Sequence, residues 1–180
     1  KTINNNRHMG CDNNPRLAQA NELDERLAPA PQTRKVAVVG AGIAGLQAAV
    51  TAAMRGHQVM VWGKSAEVGG KTRLMAQLPL GESMSSIYDH QWITAQRLGV
   101  GFQLGRAAQL EDVLTWQPDT VVLATGARMT WPQDLPAPLK DLGVVPDLRE
   151  AMAALLTHRG PLQGTAVIYD LDQTEGTYAA

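Results

Sequence analysis

Cysteine occurs once, at Cys11, so no disulfide can close within the chain, and the expected compartment is the reducing cytoplasm. Phenylalanine also occurs once. With three tyrosines and four tryptophans spread along 180 residues, nothing forms a stacking platform for single-stranded nucleic acid. The net charge is −1, so no basic excess draws the chain to nucleic acid or to an anionic membrane. No uninterrupted apolar run approaches the ~20 residues needed to span a bilayer. No signal peptide pattern is present; the N-terminus is polar and rich in Asn. His8, His57, His90 and His158 share no metal-ligand spacing, and neither a G-x-S-x-G nor a Cys–His arrangement supports nucleophilic catalysis. The first residue is Lys1, not Met, which leads to the expectation of an internal piece of a longer polypeptide.

What is present is an ordinary globular balance, 44% hydrophobic, organised around one stretch from Lys35 to Gly70. Val36-Ala37-Val38-Val39 is too continuously apolar for a half-exposed strand and reads as one buried on both faces. Gly40-Ala41-Gly42-Ile43-Ala44-Gly45 follows at once in the G-x-G-x-x-G pattern. Leu46 to Arg55 is rich in strong helix formers, Gly56 is a helix stop, and Gln58 to Trp62 reads as a second strand. Strand, glycine turn, helix, strand is the context that gives the glycine pattern its meaning. Gly40 allows the tight turn, Gly42 lets a pyrophosphate approach the backbone, and Gly45 lets helix and strand pack closely. The helix N-terminus then offers free N–H groups to phosphate.

One part of that fingerprint is missing. The acid that would hold the adenosine ribose, about 20 residues on, is replaced by Gly63, with Lys64 after it and Glu67 four positions late. Three readings stay open: the nucleotide is held by backbone and Ser65, it binds weakly, or it is not bound. Lys64 facing a 2′-phosphate competes with Lys64 as a solvated surface charge.

The rest of the chain alternates. Lys1 to Gln32 is irregular, with a short helix expected at Leu17 to Leu27 and Pro29 and Pro31 marking a linker. Lys71 to Gly81 is expected as loop with a short turn of helix, and Glu82 to Leu98 as a helix ended by Gly99. Val100 to Leu104 reads as a short strand, Leu110 to Trp116 as one or two helical turns, and Thr120 to Ala124 as another buried strand. Arg128 to Pro146, with four prolines, reads as loop. Leu148 to His158 is expected as a helix with Asp147 as N-cap, and Thr165 to Tyr169 as a further buried strand. The fold class expected is therefore α/β: a Rossmann-like FAD/NAD(P)-binding fold, with a parallel sheet and helices on both faces. Residues 1–33 are taken as a polar arm, 34–146 as the nucleotide-binding domain, and 147–180 as the start of a second, truncated nucleotide-fold unit.

Several patches together carry a family likeness: VAVVGAGIAGLQAA, RGHQVMVW, EVGG, LMAQLPLGE, RLGVGFQLG and PDTVVLATGARMTW, with Cys11-Asp12-Asn13-Asn14-Pro15 ahead of them. From Cys11 onward the chain resembles the C-terminal part of the iron–sulfur flavoproteins related to trimethylamine dehydrogenase and dienoyl-CoA reductase. The resemblance implies a flavin-bearing (β/α)₈ barrel and a four-iron cluster ahead of FAD-like and NAD-like domains. Cys11 matches the last cluster ligand, a metal role it would have only in the full-length protein, since the other three cysteines are absent here. Gly40, Gly42, Ile43, Ala44 and Gly45 match the dinucleotide phosphate loop. Gly63 and Lys64 stand at the ribose position. Gly69, Gly70 and Arg73 match the second glycine pair and the segment lining the pyrophosphate, against a plain surface arginine. Thr125 and Gly126 match the turn that closes over the cofactor, against a plain strand-ending turn.

The likeness thus implies FAD or ADP in this chain, with FMN and the cluster elsewhere, and the flavin barrel as partner. Asp170-Leu171-Asp172-Gln173-Thr174-Glu175-Gly176, where a second phosphate loop would stand, carries three carboxylates that repel pyrophosphate, which favours the trimethylamine dehydrogenase branch. The function expected is the dinucleotide-binding part of a flavin- and iron–sulfur-dependent oxidoreductase, not catalytic on its own. The alternatives are a non-catalytic nucleotide-fold module holding structural ADP or a protein partner, and an NADPH-binding enzyme using Lys64 and Arg73.

Overall fold

The computed structural model describes residues 28–165 apart from 80, 129, 144, 159, 161 and 162, together with residues 167 and 169. The expected helix at Leu17 to Leu27, Cys11 and the acidic run from Asp170 lie outside the described residues.

Four parallel strands form one sheet: β1 (Lys35–Val39), β2 (Gln58–Trp62), β3 (Gly101–Gln103) and β4 (Thr120–Leu123), in the order β3-β2-β1-β4. β1 pairs residue by residue with β2 from Lys35↔Gln58 to Val39↔Trp62, and with β4 from Val36↔Thr120 to Val39↔Leu123. Parallel neighbours need crossover connections, and α1 (Ile43–Met54) and α3 (Ser85–Arg97) supply two of them. The alternation of the strand puts Val36 and Val38 on one face, packed with Val59, Val61, Leu46, Ala49 and Tyr88. Ala37 and Trp62 face the other way, against Val113 of α4 (Leu110–Thr115). Both faces therefore carry helices, and β1 is buried on both, as its unbroken apolar run requires.

α2 (Gly70–Ala76) follows the second glycine pair, and the 3₁₀ turn Glu82–Met84 leads into α3. α6 (Leu148–Thr157) contacts α2. Asp147 caps it by accepting from the Arg149 and Glu150 N–H groups, while Glu150 accepts from the Asp147 N–H. That reciprocal pair satisfies orphan donors on both sides of the cap.

Three expectations need correction. Thr120 to Leu123 is not a buried strand: β4 ends the sheet, and Leu123 is 76% exposed because its outer side meets nothing among the described residues. The proline-rich loop contains a short helix, α5 (Ala137–Asp141), in which Pro138 stands in the first turn, where its missing N–H costs nothing. Thr165, Val167 and Tyr169 take no strand conformation, and Val167 is 87% exposed; Ala166 and Ile168 lie outside the described residues.

Among the described residues Leu46 is the largest fully buried side chain, at the point where α1 meets the sheet. Leu46→Ala is expected to cost about 2–5 kcal/mol. A denaturant titration of the two proteins checks this, with a difference under about 1 kcal/mol counting against the packing described.

Candidate functional site

Sheet order places the glycine turn. Going from β1, the chain moves outward to β2 and β3, then returns to the other side of β1 as β4. The carboxyl ends of β1 and β4 thus flank the point where the strand order reverses, the place where open α/β sheets form a ligand crevice. The turn after β1, the turn after β4 and the N-terminus of α1 all lie there.

The three glycines of the turn are doing different things. Gly40 has φ +118°, and a methyl group on it would overlap the carbonyl of Ala124, whose own N–H donates to Val39 at 2.8 Å. A methyl on Gly45 would overlap the carbonyl of Gly40. These two are glycine because backbone passes against backbone. Gly42 is different: the nearest atom to a methyl there is the Cα of Gly70, 4.0 Å away. Gly42 is the N-cap of α1, with no side-chain cap and no acidic residue in the first turn. The first-turn N–H groups, those of Ile43 and Ala44 among them, have no intrahelical acceptor, and the positive end of the helix dipole is left uncompensated. Room for close approach to the backbone, free donors and positive potential coincide at Gly42, which suits a phosphate.

The second glycine pair builds the opposite wall. Gly69 forms a parallel bridge with Gly42, and its N–H donates to the Ala41 carbonyl at 2.9 Å. Gly69 and Gly70 have φ of +102° and +57°, conformations that favour glycine. α2 starts at Gly70, so a second, shorter helix opens beside the first. Arg73 on it is no free surface cation: its guanidinium pairs with Glu67 at 2.5 Å and lies 5.8 Å from the centre of the Tyr88 ring. Thr125 and Gly126 follow β4, both exposed, and the Thr125 backbone N would lie 3.1 Å from a methyl on Gly40.

The end of β2, where the ribose is expected, is built differently. Gly63 is buried, and its N–H donates to the Gln103 carbonyl at 2.9 Å. A methyl there would stand 2.7 Å from Leu104 Cδ2 and 2.9 Å from Ala41 Cβ. Lys64 and Ser65 are exposed, and the Ser65 carbonyl accepts from the Gly105 N–H at 2.9 Å. Lys64 makes no hydrogen bond or ion pair among the described residues. The structure therefore gathers Gly40 to Gly45, Gly69, Gly70, Thr125 and Gly126 at the carboxyl ends of β1 and β4, with Gly63 and Lys64 at the end of the adjoining strand β2. Spacing within RLGVGFQLG gave no sign that Leu104 meets Gly63; only the β2–β3 pairing brings them together.

Beyond Gly63, a cavity of about 330 Å³ is lined by Trp62, Phe102, Gln103, Leu104, Arg106 and Ala108. On its rim, the Gln109 backbone N–H and then the Arg106 guanidinium hydrogen-bond to Asp112 and hold its carboxyl below the ordinary value. Among the described residues no cluster of His, Cys, Asp or Glu could hold a metal ion, and no helix is long and apolar enough to cross a membrane.

Comparison with known proteins agrees with this fold. The family described as pyridine nucleotide-disulphide oxidoreductase matches residues 34–168. A probable N-methylproline demethylase of Rhizobium meliloti (strain 1021) is 39% identical over 64% of this chain and 17% of its own length. A multifunctional alkene reductase/demethylase of Caballeronia cordobensis is 32% identical over 89% of this chain and 22% of its own. Among solved structures, a 2-naphthoyl-CoA reductase bound to 2-naphthoyl-CoA aligns with a TM-score of 0.62 at 35% identity, over 69% of this chain and 19% of that one. The chain thus spans about a fifth of the length of these relatives.

The glycines can be told apart by substitution. Gly40→Ala and Gly45→Ala are expected to destabilise by about 1–3 kcal/mol or more, because neither backbone carbonyl can move aside. Gly42→Ala is expected to leave the melting temperature within about 2 °C, since its methyl would make only an ordinary contact, 4.0 Å from the Gly70 Cα. Thermal melts of the three variants check this; a Gly42→Ala loss as large as the other two contradicts the open site.

Proposed function

The chain belongs to the pyridine nucleotide-disulphide oxidoreductase family, and from that membership we propose that it is the dinucleotide-binding part of an FMN/FAD- and iron–sulfur-dependent oxidoreductase. Residues 34–146 form its nucleotide-binding unit, with 1–33 as an arm and 147–180 opening a second unit. Family membership implies binding of the FAD/NAD kind. The finer reading is FAD, or ADP as a structural nucleotide.

The observation that carries the proposal is the opening at Gly42. A pyrophosphate there would meet the first-turn N–H groups of α1, held between the Gly40 turn and Gly70. Thr125 and Gly126 would close over it from the neighbouring strand. Bound FAD would supply a flavin that accepts or donates electrons. The residues of this chain would bind and orient it, and none of them is assigned as an acid or base. Relatives that are demethylases and reductases support redox chemistry of a larger polypeptide, whose flavin barrel would be the partner of this part.

The second reading, a nucleotide-fold module that holds ADP without turnover, is favoured by one observation: the ribose end has no carboxylate at Gly63. The two readings separate chemically. Denaturing the purified chain and identifying any released nucleotide by mass is expected to give FAD, or ADP under the second reading. No release, and no binding when FAD or ADP is added, overturns both.

A further inference from the structure

We infer that the ribose corner of this site does not read the 2′ position of the nucleotide, because Ala41 and Leu104 close the place from which a carboxylate would do so. The inference rests on the nucleotide-binding reading above and goes beyond it. In sites of this architecture an acid at the end of the second strand has two effects. It accepts a hydrogen bond from the 2′-hydroxyl, and its charge repels a 2′-phosphate.

Here the corner has not merely lost the acid. Gly63 is fixed by its hydrogen bond to Gln103 at 2.9 Å, so the strand end cannot drift outward to admit a side chain. A Cβ on it would stand 2.7 Å from Leu104 Cδ2 and 2.9 Å from Ala41 Cβ. The leucine tip can swing away. The alanine methyl has no torsion to turn, and its backbone is tied by the Gly69 N–H at 2.9 Å. The next acid along the chain, Glu67, is engaged with Arg73. The residue after the gap, Lys64, is positive but exposed, so solvent screens its pull on a 2′-phosphate to under about tenfold, and no negative charge from Gly63 opposes that phosphate. Neither effect of the acid operates. Nucleotides carrying hydroxyl, hydrogen or phosphate at the 2′ carbon are therefore accepted alike, gripped through the phosphates.

Isothermal titration of the full 180-residue chain with ADP, 2′-deoxy-ADP and 2′-phospho-ADP tests this. The three dissociation constants are expected to agree within about threefold, since a charged hydrogen bond to the 2′-hydroxyl would separate the first two by about tenfold or more. A difference of about tenfold in either direction, for either analogue, overturns the inference while leaving nucleotide binding in place. Failure of all three to bind overturns the nucleotide reading itself, so the two failures look different.

Discussion

The close approach of three backbones at the end of β1 is the constraint on which the rest depends. Gly40 turns against the carbonyl of Ala124, and Gly45 packs against the carbonyl of Gly40. Strand β1, strand β4 and helix α1 are thereby locked at distances that no side chain would permit. The lock has a consequence one residue away. Because α1 is drawn down onto the sheet, its N-terminus emerges at the carboxyl end of β1, where a side-chain methyl on Gly42 would meet nothing nearer than the Gly70 Cα at 4.0 Å. Packing and binding are thus divided among neighbouring glycines: two hold the scaffold and one leaves room for a ligand. Val38, Leu46 and Val61, all fully buried, fill the layer behind them.

The two ends of the crevice obey different physics. At the phosphate end the donors belong to backbone and the field comes from a helix, so little depends on side-chain identity. At the ribose end, recognition in this architecture depends on one side chain. There Gly63 has been enclosed by Ala41 and Leu104. On the proposed reading, affinity for the shared phosphate portion persists while discrimination at the sugar is lost. In the segment between the two ends, Glu67 pairs with Arg73, whose guanidinium lies over the Tyr88 ring.

Much of this was legible in the sequence because the signals are local. The apolar run at Val36 to Val39, the spacing of Gly40, Gly42 and Gly45, and the stops at Gly56 and Gly99 each act on the backbone within a few residues. The strand bounds of β2 and the cap at Asp147 follow for the same reason. What escaped is non-local. TVVL reads as buried in any sequence window, yet among the described residues β4 stands at the edge of the sheet, which only strand order determines. Val167 in TAVIY has the same composition as a core strand and is exposed. The short helix at Ala137–Asp141 was hidden because prolines were read as breakers, although Pro138 sits where a helix tolerates it. Leu104 gave no signal at all, since its effect on Gly63 requires β2 and β3 to be paired first.

The most direct test of the central claim, that the Gly42 opening at the α1 N-terminus is the phosphate site, is a map of backbone amide shifts in an isotopically labelled chain titrated with ADP. The largest changes are predicted at Gly42, Ile43, Ala44 and Gly70. Changes centred instead on a second cavity, of about 310 Å³ and lined by His57, Leu98 and Trp116 among others, with the glycine turn undisturbed, would contradict it.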